Sequence, residues 1–92
     1  MAAENEVTLE TATTESTKEI LISGDFTFSL WGTWEGTVNV LRRYPGTPVM
    51  VVEAFTANAQ KTGYEGEGAY YSLSRTVATS GTANARLGRK MS

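Results

Sequence analysis

Gly24-Asp25-Phe26-Thr27-Phe28-Ser29-Leu30-Trp31-Gly32-Thr33-Trp34-Glu35-Gly36-Thr37-Val38-Asn39-Val40-Leu41-Arg42-Arg43 decides the fold class. Phe26, Phe28 and Leu30 alternate with Thr27 and Ser29. After a glycine-containing break, Val38 and Val40 alternate with Thr37 and Asn39. Period-two alternation on both sides of a tight turn predicts a β-hairpin with one buried face, whose inward set is Phe26, Phe28, Leu30, Val38 and Val40. By the same parity Trp34 falls inside and Trp31 outside.

Further strands follow the same logic. Thr8–Thr11 alternates weakly and fits an edge strand; Lys18–Ser23 carries the apolar run Ile20-Leu21-Ile22. Tyr44-Pro45-Gly46-Thr47-Pro48 is a turn, since adjacent Pro and Gly punctuate the chain. Val49–Phe55 is apolar on both parities except at Glu53, which predicts a strand covered on both faces or held against a partner. Thr56–Gly68 reads as a long polar, glycine-bearing loop. Ala69–Arg75 and Thr82–Leu87 close the pattern, separated by Ser80-Gly81. Short strands at this spacing predict an all-β domain, a small antiparallel β-sandwich of about six or seven strands.

The first nineteen residues differ from the rest. They hold five Glu against Lys18, with Val7 and Leu9 almost the only large apolar side chains. Such a segment buries too little to offset its ordering entropy, so residues 1–19 are expected to form an extended acidic arm on a β-sandwich domain over 20–92. The arm carries a charge of −4 and the remainder +2, which suits an arm lying on a neighbouring copy. Fully extended, it would reach roughly 60 Å. A body this small buries only roughly 60% of its unfolded surface, and small domains usually add a staple. Oligomerisation or docking onto a larger body is the staple this composition leaves open.

The chain contains neither cysteine nor histidine. That excludes a disulfide framework, a zinc finger and thiol chemistry, and removes the commonest general base. No cofactor and no metal are expected. Asp25, Glu35 and Glu53 are the carboxylates that acid–base chemistry would have to use, but a glycosidase needs two flanking a cleft that so small a domain cannot hold, so no enzyme activity is expected. Gly63-Tyr64-Glu65-Gly66-Glu67-Gly68 lacks a phosphate-binding lysine and the ligand spacing of a calcium loop. Arg42-Arg43-Tyr44 is a single basic pair in a chain of net charge −2, too small a footprint for nucleic acid. No secretion signal or membrane-length apolar run is visible, so use without Sec export is expected.

Aromatic and arginine side chains dominate interface energetics, which makes Trp31, Arg42, Arg43 and Tyr44 the candidate partner contacts of the body. Val7, Leu9 and Glu10 are those of the arm. Trp31 with nearby tyrosines also fits a carbohydrate platform.

Four segments carry a family resemblance: Gly32–Arg43, then Val51-Val52-Glu53-Ala54-Phe55-Thr56-Ala57-Asn58, then Ala69-Tyr70-Tyr71-Ser72-Leu73, then Thr79-Ser80-Gly81-Thr82-Ala83-Asn84-Ala85-Arg86-Leu87. Their wording resembles small virion proteins encoded among the structural genes of tailed bacteriophages, over roughly residues 20–89. The chain departs from that pattern at Val49, where a tryptophan is usual, and at Tyr44-Pro45-Gly46, which replaces an Asp-Gly-Gly turn. The resemblance implies a capsid decoration or cement protein in the virion, assembled in the host cytoplasm. Its partners would be the major capsid protein and neighbouring copies of itself, with a tail or head–tail adaptor component as the alternative.

Overall fold

The computed structural model describes residues 6–89. It is all-β: β1 (Glu6–Thr11), β2 (Glu15–Ser16), β3 (Ile20–Trp31), β4 (Trp34–Arg43), β5 (Met50–Phe55), β6 (Ala59–Gly81) and β7 (Ala83–Arg89). They form one seven-stranded sheet in the order β1-β7-β3-β6-β4-β5, with β2 added beside β6. Every ladder is antiparallel.

β6 explains the shape. Its 23 residues would span roughly 75 Å if straight at ~3.3 Å per residue. The longest dimension of the molecule is 36 Å, so β6 must bend. It bends where Gly66, Glu67 and Gly68 stand against Ser23 alone, between the pairs Gly24↔Glu65 and Ile22↔Ala69. Two further register shifts against β4 leave Thr76 and Thr79 as extra residues on β6. Bulges of this kind increase local twist and kink a strand. The first part of β6 pairs β3 and the last part pairs β4, so the bend curls the sheet into an open half-barrel.

Curling brings distant strands face to face. The rings of Phe28 on β3 and Phe55 on β5 stack with centroids 4.9 Å apart, although β6 and β4 separate those strands in the sheet. Around them pack Val7, Leu9, Ile20, Ile22, Leu30, Val38, Val40, Tyr71, Leu73 and Leu87, with Trp34 partly buried at the margin. Each fully buried side chain of this kind contributes about 1.5–3 kcal/mol relative to exposure.

Three sequence expectations change here. The β3 and β4 segments alternate as expected, and Phe28, Leu30, Val38 and Val40 are buried while Phe26 packs partly buried against the core. They are not a hairpin, however. β6 lies between them, so the Gly32-Thr33 connection crosses from one half of the curled sheet to the other. The Thr56–Gly68 segment is a turn of three residues followed by strand, because β3 supplies a ladder from Ala59 to Glu65. Residues 6–11, expected within the extended arm, form the edge strand that the alternation of Thr8–Thr11 suggests, pairing with β7 from Glu6↔Gly88 to Thr11↔Ala83 and burying Val7, Leu9 and Thr11. Alternation of three inward side chains and a complete ladder outweighs the low apolar content. The arm's residues 1–5 lie outside the described residues.

Arg75 closes the curl at one end. It is fully buried, and its guanidinium donates only to backbone carbonyls. Nη1 reaches Thr11 O at 2.7 Å and Gly81 O at 2.8 Å; Nη2 reaches Glu35 O and Ser80 O, both at 2.8 Å. One side chain thus ties together the end of β1, the start of β4 and the end of β6. The Trp34 ring covers it, 5.7 Å from the guanidinium carbon.

Candidate functional site

The β4–β5 connection begins with a turn in which Thr47 N and Oγ1 both donate to Tyr44 O, at 3.0 and 2.7 Å. It delivers β5 to the outside of the sheet, where β5 pairs only with β4. Phe55 alone of its side chains is buried. Val49, Met50, Val51 and Val52 are exposed by 49, 65, 53 and 39%, a continuous apolar edge. Val52 is the extra residue of a bulge, since Val40 pairs Glu53 and Leu41 pairs Val51. The opposite edge of the sheet, β1, is different: its outward side chains are Glu6, Thr8 and Glu10, of which Glu6 engages Arg86 at 2.9 Å. Charged edges discourage strand addition and apolar ones invite it.

β5 and the first part of β6 splay apart from the Thr56–Asn58 turn without forming a ladder. Asn58 clamps that turn, accepting from Trp34 Nε1 at 2.7 Å and donating to Gly32 O at 2.9 Å. Lys61 and Glu53 pair across the seam at 2.9 Å. The seam holds a cavity of about 250 Å³ lined by Phe26, Phe28, Phe55, Val52, Arg42 and Tyr64 among others. Its floor depends on Gly63, which pairs with Phe26: a Cβ there would overlap the Phe26 ring, including Cε1 at 2.9 Å. Gly63→Val should therefore expel the ring from the floor. We expect an altered near-ultraviolet circular dichroism spectrum and a stability loss of about 1–3 kcal/mol, checked by urea titration.

A buried polar cluster props the same region from beneath. The Glu65 carboxylate accepts from Tyr71 Oη at 2.9 Å, Tyr44 Oη at 3.2 Å and Glu67 N at 3.3 Å, with Arg42 Nη1 at 4.0 Å. Burial and the Glu65 hydrogen bond push the Tyr71 hydroxyl up to about 12. Burial likewise raises Tyr44, with Glu65 adding to it. Burial opposes the charge of Arg42, but the Tyr71 hydrogen bond and the Tyr44, Tyr71 and Glu65 oxygens together raise its pKa.

The Tyr71 shift predicts an alkaline limit. The unfolded tyrosine ionises near 10 while the folded one stays neutral, so stability is full below about pH 10 and is lost between about 10 and 12. Thermal melts across that range should show the fall, and Tyr71→Phe should flatten it while lowering stability at neutral pH.

The residues expected to meet partners are spread widely. Val7 and Leu9 face this chain's own core, whereas Glu10 is exposed. Arg43 is bidentate on Glu19 at 3.0 and 2.8 Å and stacks 4.6 Å over Tyr70. That hydrogen-bonded pair lowers the Glu19 pKa and raises that of Arg43. Arg42 lies 4.9 Å over the Tyr44 ring, and both serve the Glu65 cluster. Trp31 is 50% exposed at the end of β3. Asp25, Glu35 and Glu53 sit on three different strands, Glu53 paired with Lys61 and Glu35 accepting from Ser80 Oγ at 3.4 Å. The apolar edge of β5 is the feature that the aromatic-and-arginine criterion passed over. Its signal was the two-sided apolarity of Val49–Val52.

No protein-family model, curated protein or solved structure matches the chain.

Proposed function

We propose that this chain is a non-enzymatic structural protein of a tailed-bacteriophage virion that decorates or cements the capsid, with the major capsid protein and copies of itself as partners. The two folded-over parts of the sheet act as the layers of a small β-sandwich. The observation that carries the reading is the apolar edge Val49–Val52, a surface whose composition fits assembly better than solvent. The strand wording shared with small virion proteins supports the same role.

Particles purified from cells that make the chain test this directly, by counting its copies with quantitative mass spectrometry. Copies on the order of hundreds per particle support decoration. A closed ring of about a dozen or fewer copies places it in the tail or at the head–tail junction instead. Absence from particles overturns the virion reading. Truncation of residues 1–18 does not serve as a test of an arm, because it strips Val7 and Leu9 from the core.

The carbohydrate alternative has exposed Trp31 in its favour. Exposed Tyr64, however, stands opposite Asp25, which lies roughly 20 Å along β3 from Trp31. Binding on a glycan array that is lost in Trp31→Ala would establish the alternative.

A further inference from the structure

We infer that the free edge of β5 pairs antiparallel with β5 of a second copy, about a twofold axis at Met50. The inference rests on the reading of β5 as an assembly edge and names its occupant.

Both faces of this segment are apolar, yet the chain's own core takes in only Phe55 from β5. Strands apolar on both faces belong inside a sheet, flanked and covered. In an antiparallel strand, alternate residues also direct N–H and C=O away from the existing neighbour, so the open edge of β5 calls for another strand.

The stretch able to extend the ladder is bounded symmetrically. Pro48 has no N–H to donate, and Val52 is the bulged residue. Both lie two positions from Met50. A twofold at Met50 sets Val49 against Val51 of the copy and each ladder-ending Pro48 against the bulge at Val52. An isologous contact requires this self-complementarity, whereas a foreign strand gains nothing from it.

Charge permits the arrangement. Glu53, the charged residue of β5, is paired in its own chain with Lys61. In this register the two Glu53 carboxylates are separated by roughly 20 Å along the ladder. Two copies of β1 would instead bring glutamates together. The four apolar side chains of each copy, with Tyr64 (72% exposed) at the mouth of the seam, amount to on the order of 1,000 Å² for the pair. Edge pairing covers only part of that area, below the size of a stable specific interface, and so defines a weak, concentration-dependent dimer that a lattice can reinforce.

The absence of native cysteine makes the test direct. Directly opposed antiparallel residues have Cα atoms about 4.5–5.5 Å apart, within the span a disulfide accepts. Full-length Met50→Cys should give a disulfide-linked dimer under mild oxidation, whereas Thr8→Cys on β1 should not. Sedimentation equilibrium should show the wild-type chain dimerising with concentration, and Met50→Lys should raise the midpoint at least ~10-fold with an unchanged melting profile. A wild-type chain that stays monomeric with no Met50→Cys cross-link overturns the inference, as does cross-linking through Thr8→Cys instead. If Met50→Lys loses particle occupancy while the wild type is monomeric, another virion protein fills the edge and only this inference fails. If copies cross-link through Met50→Cys yet the chain is absent from particles, the virion reading fails and the dimer stands.

Discussion

Arg75→Met should abolish cooperative folding at room temperature. The guanidinium is fully buried and satisfies the carbonyls of Thr11, Glu35, Ser80 and Gly81 at once. Methionine matches the stem and supplies no donor, which leaves the buried Thr11 carbonyl unpaired and removes the part-buried bonds to Glu35, Ser80 and Gly81. The unsatisfied buried carbonyl costs about 1–3 kcal/mol, and the loss of the anchor that ties β1, β4 and β6 together adds to it, against the ~5 kcal/mol that a small domain commands. Arg75→Lys should rescue partially, since an ammonium retains the charge but cannot reproduce the planar fork. Urea unfolding followed by tryptophan fluorescence is the natural measurement, because Trp34 lies over the guanidinium. A wild-type midpoint in Arg75→Met would refute the latch.

The second large effect is expected at Gly36. Its φ is +138°, a region L side chains rarely adopt, and a Cβ would fall on the carbonyl oxygen of Val77. The obstacle is backbone within a ladder, held by the pairs Gly36↔Ala78 and Thr37↔Val77, so it cannot move aside. Gly36→Ala should cost more than about 3 kcal/mol. Gly24→Ala is the matched control: its φ is also positive, but nothing lies within 4 Å of the added Cβ. Conformational strain alone, about 1–2 kcal/mol, is expected there. Equal losses in the two variants, read from thermal melts, would show that the Val77 contact is relaxed in solution.

Much of this was legible in the residues and some was not. Alternation assigned Phe28, Leu30, Val38 and Val40 to the interior, because periodicity reports which face is buried. It could not report which strand lies alongside, and β6, far downstream, separates the expected hairpin. Arg75 shares parity with Tyr71 and Leu73, so an inward arginine was written in the pattern; its carbonyl partners come from three elements and were not. Val7, Leu9 and Thr11 alternate with Glu6, Thr8 and Glu10; the alternation marked an edge strand at Thr8–Thr11, while the acidic composition around it hid that the strand docks on this chain's own core. Gly63 read as loop because glycine is common in loops, whereas here it makes room for the Phe26 ring. The apolarity of Val49–Val52 was plain. Its position on a free edge depends on the strand order, which local pattern does not encode.

Pairing the first described strand with the last has a consequence for biosynthesis. Ladders of β1, β2 and β3 all require β6 or β7, and only β4 and β5 pair as sequence neighbours. At ~5–20 residues per second, about 4–16 s separate the synthesis of Glu6 from that of its partner Gly88. Through that interval β1 has no ladder to join, and until β6 is made β2 and β3 have none either, so the β4–β5 pair first presents its apolar edge alone. Contacts this distant in sequence slow folding and postpone its completion until β7 has been made. A product that stops before β7 leaves β1 unpaired and one side of β3 open, so the sheet closes only in chains that include β7.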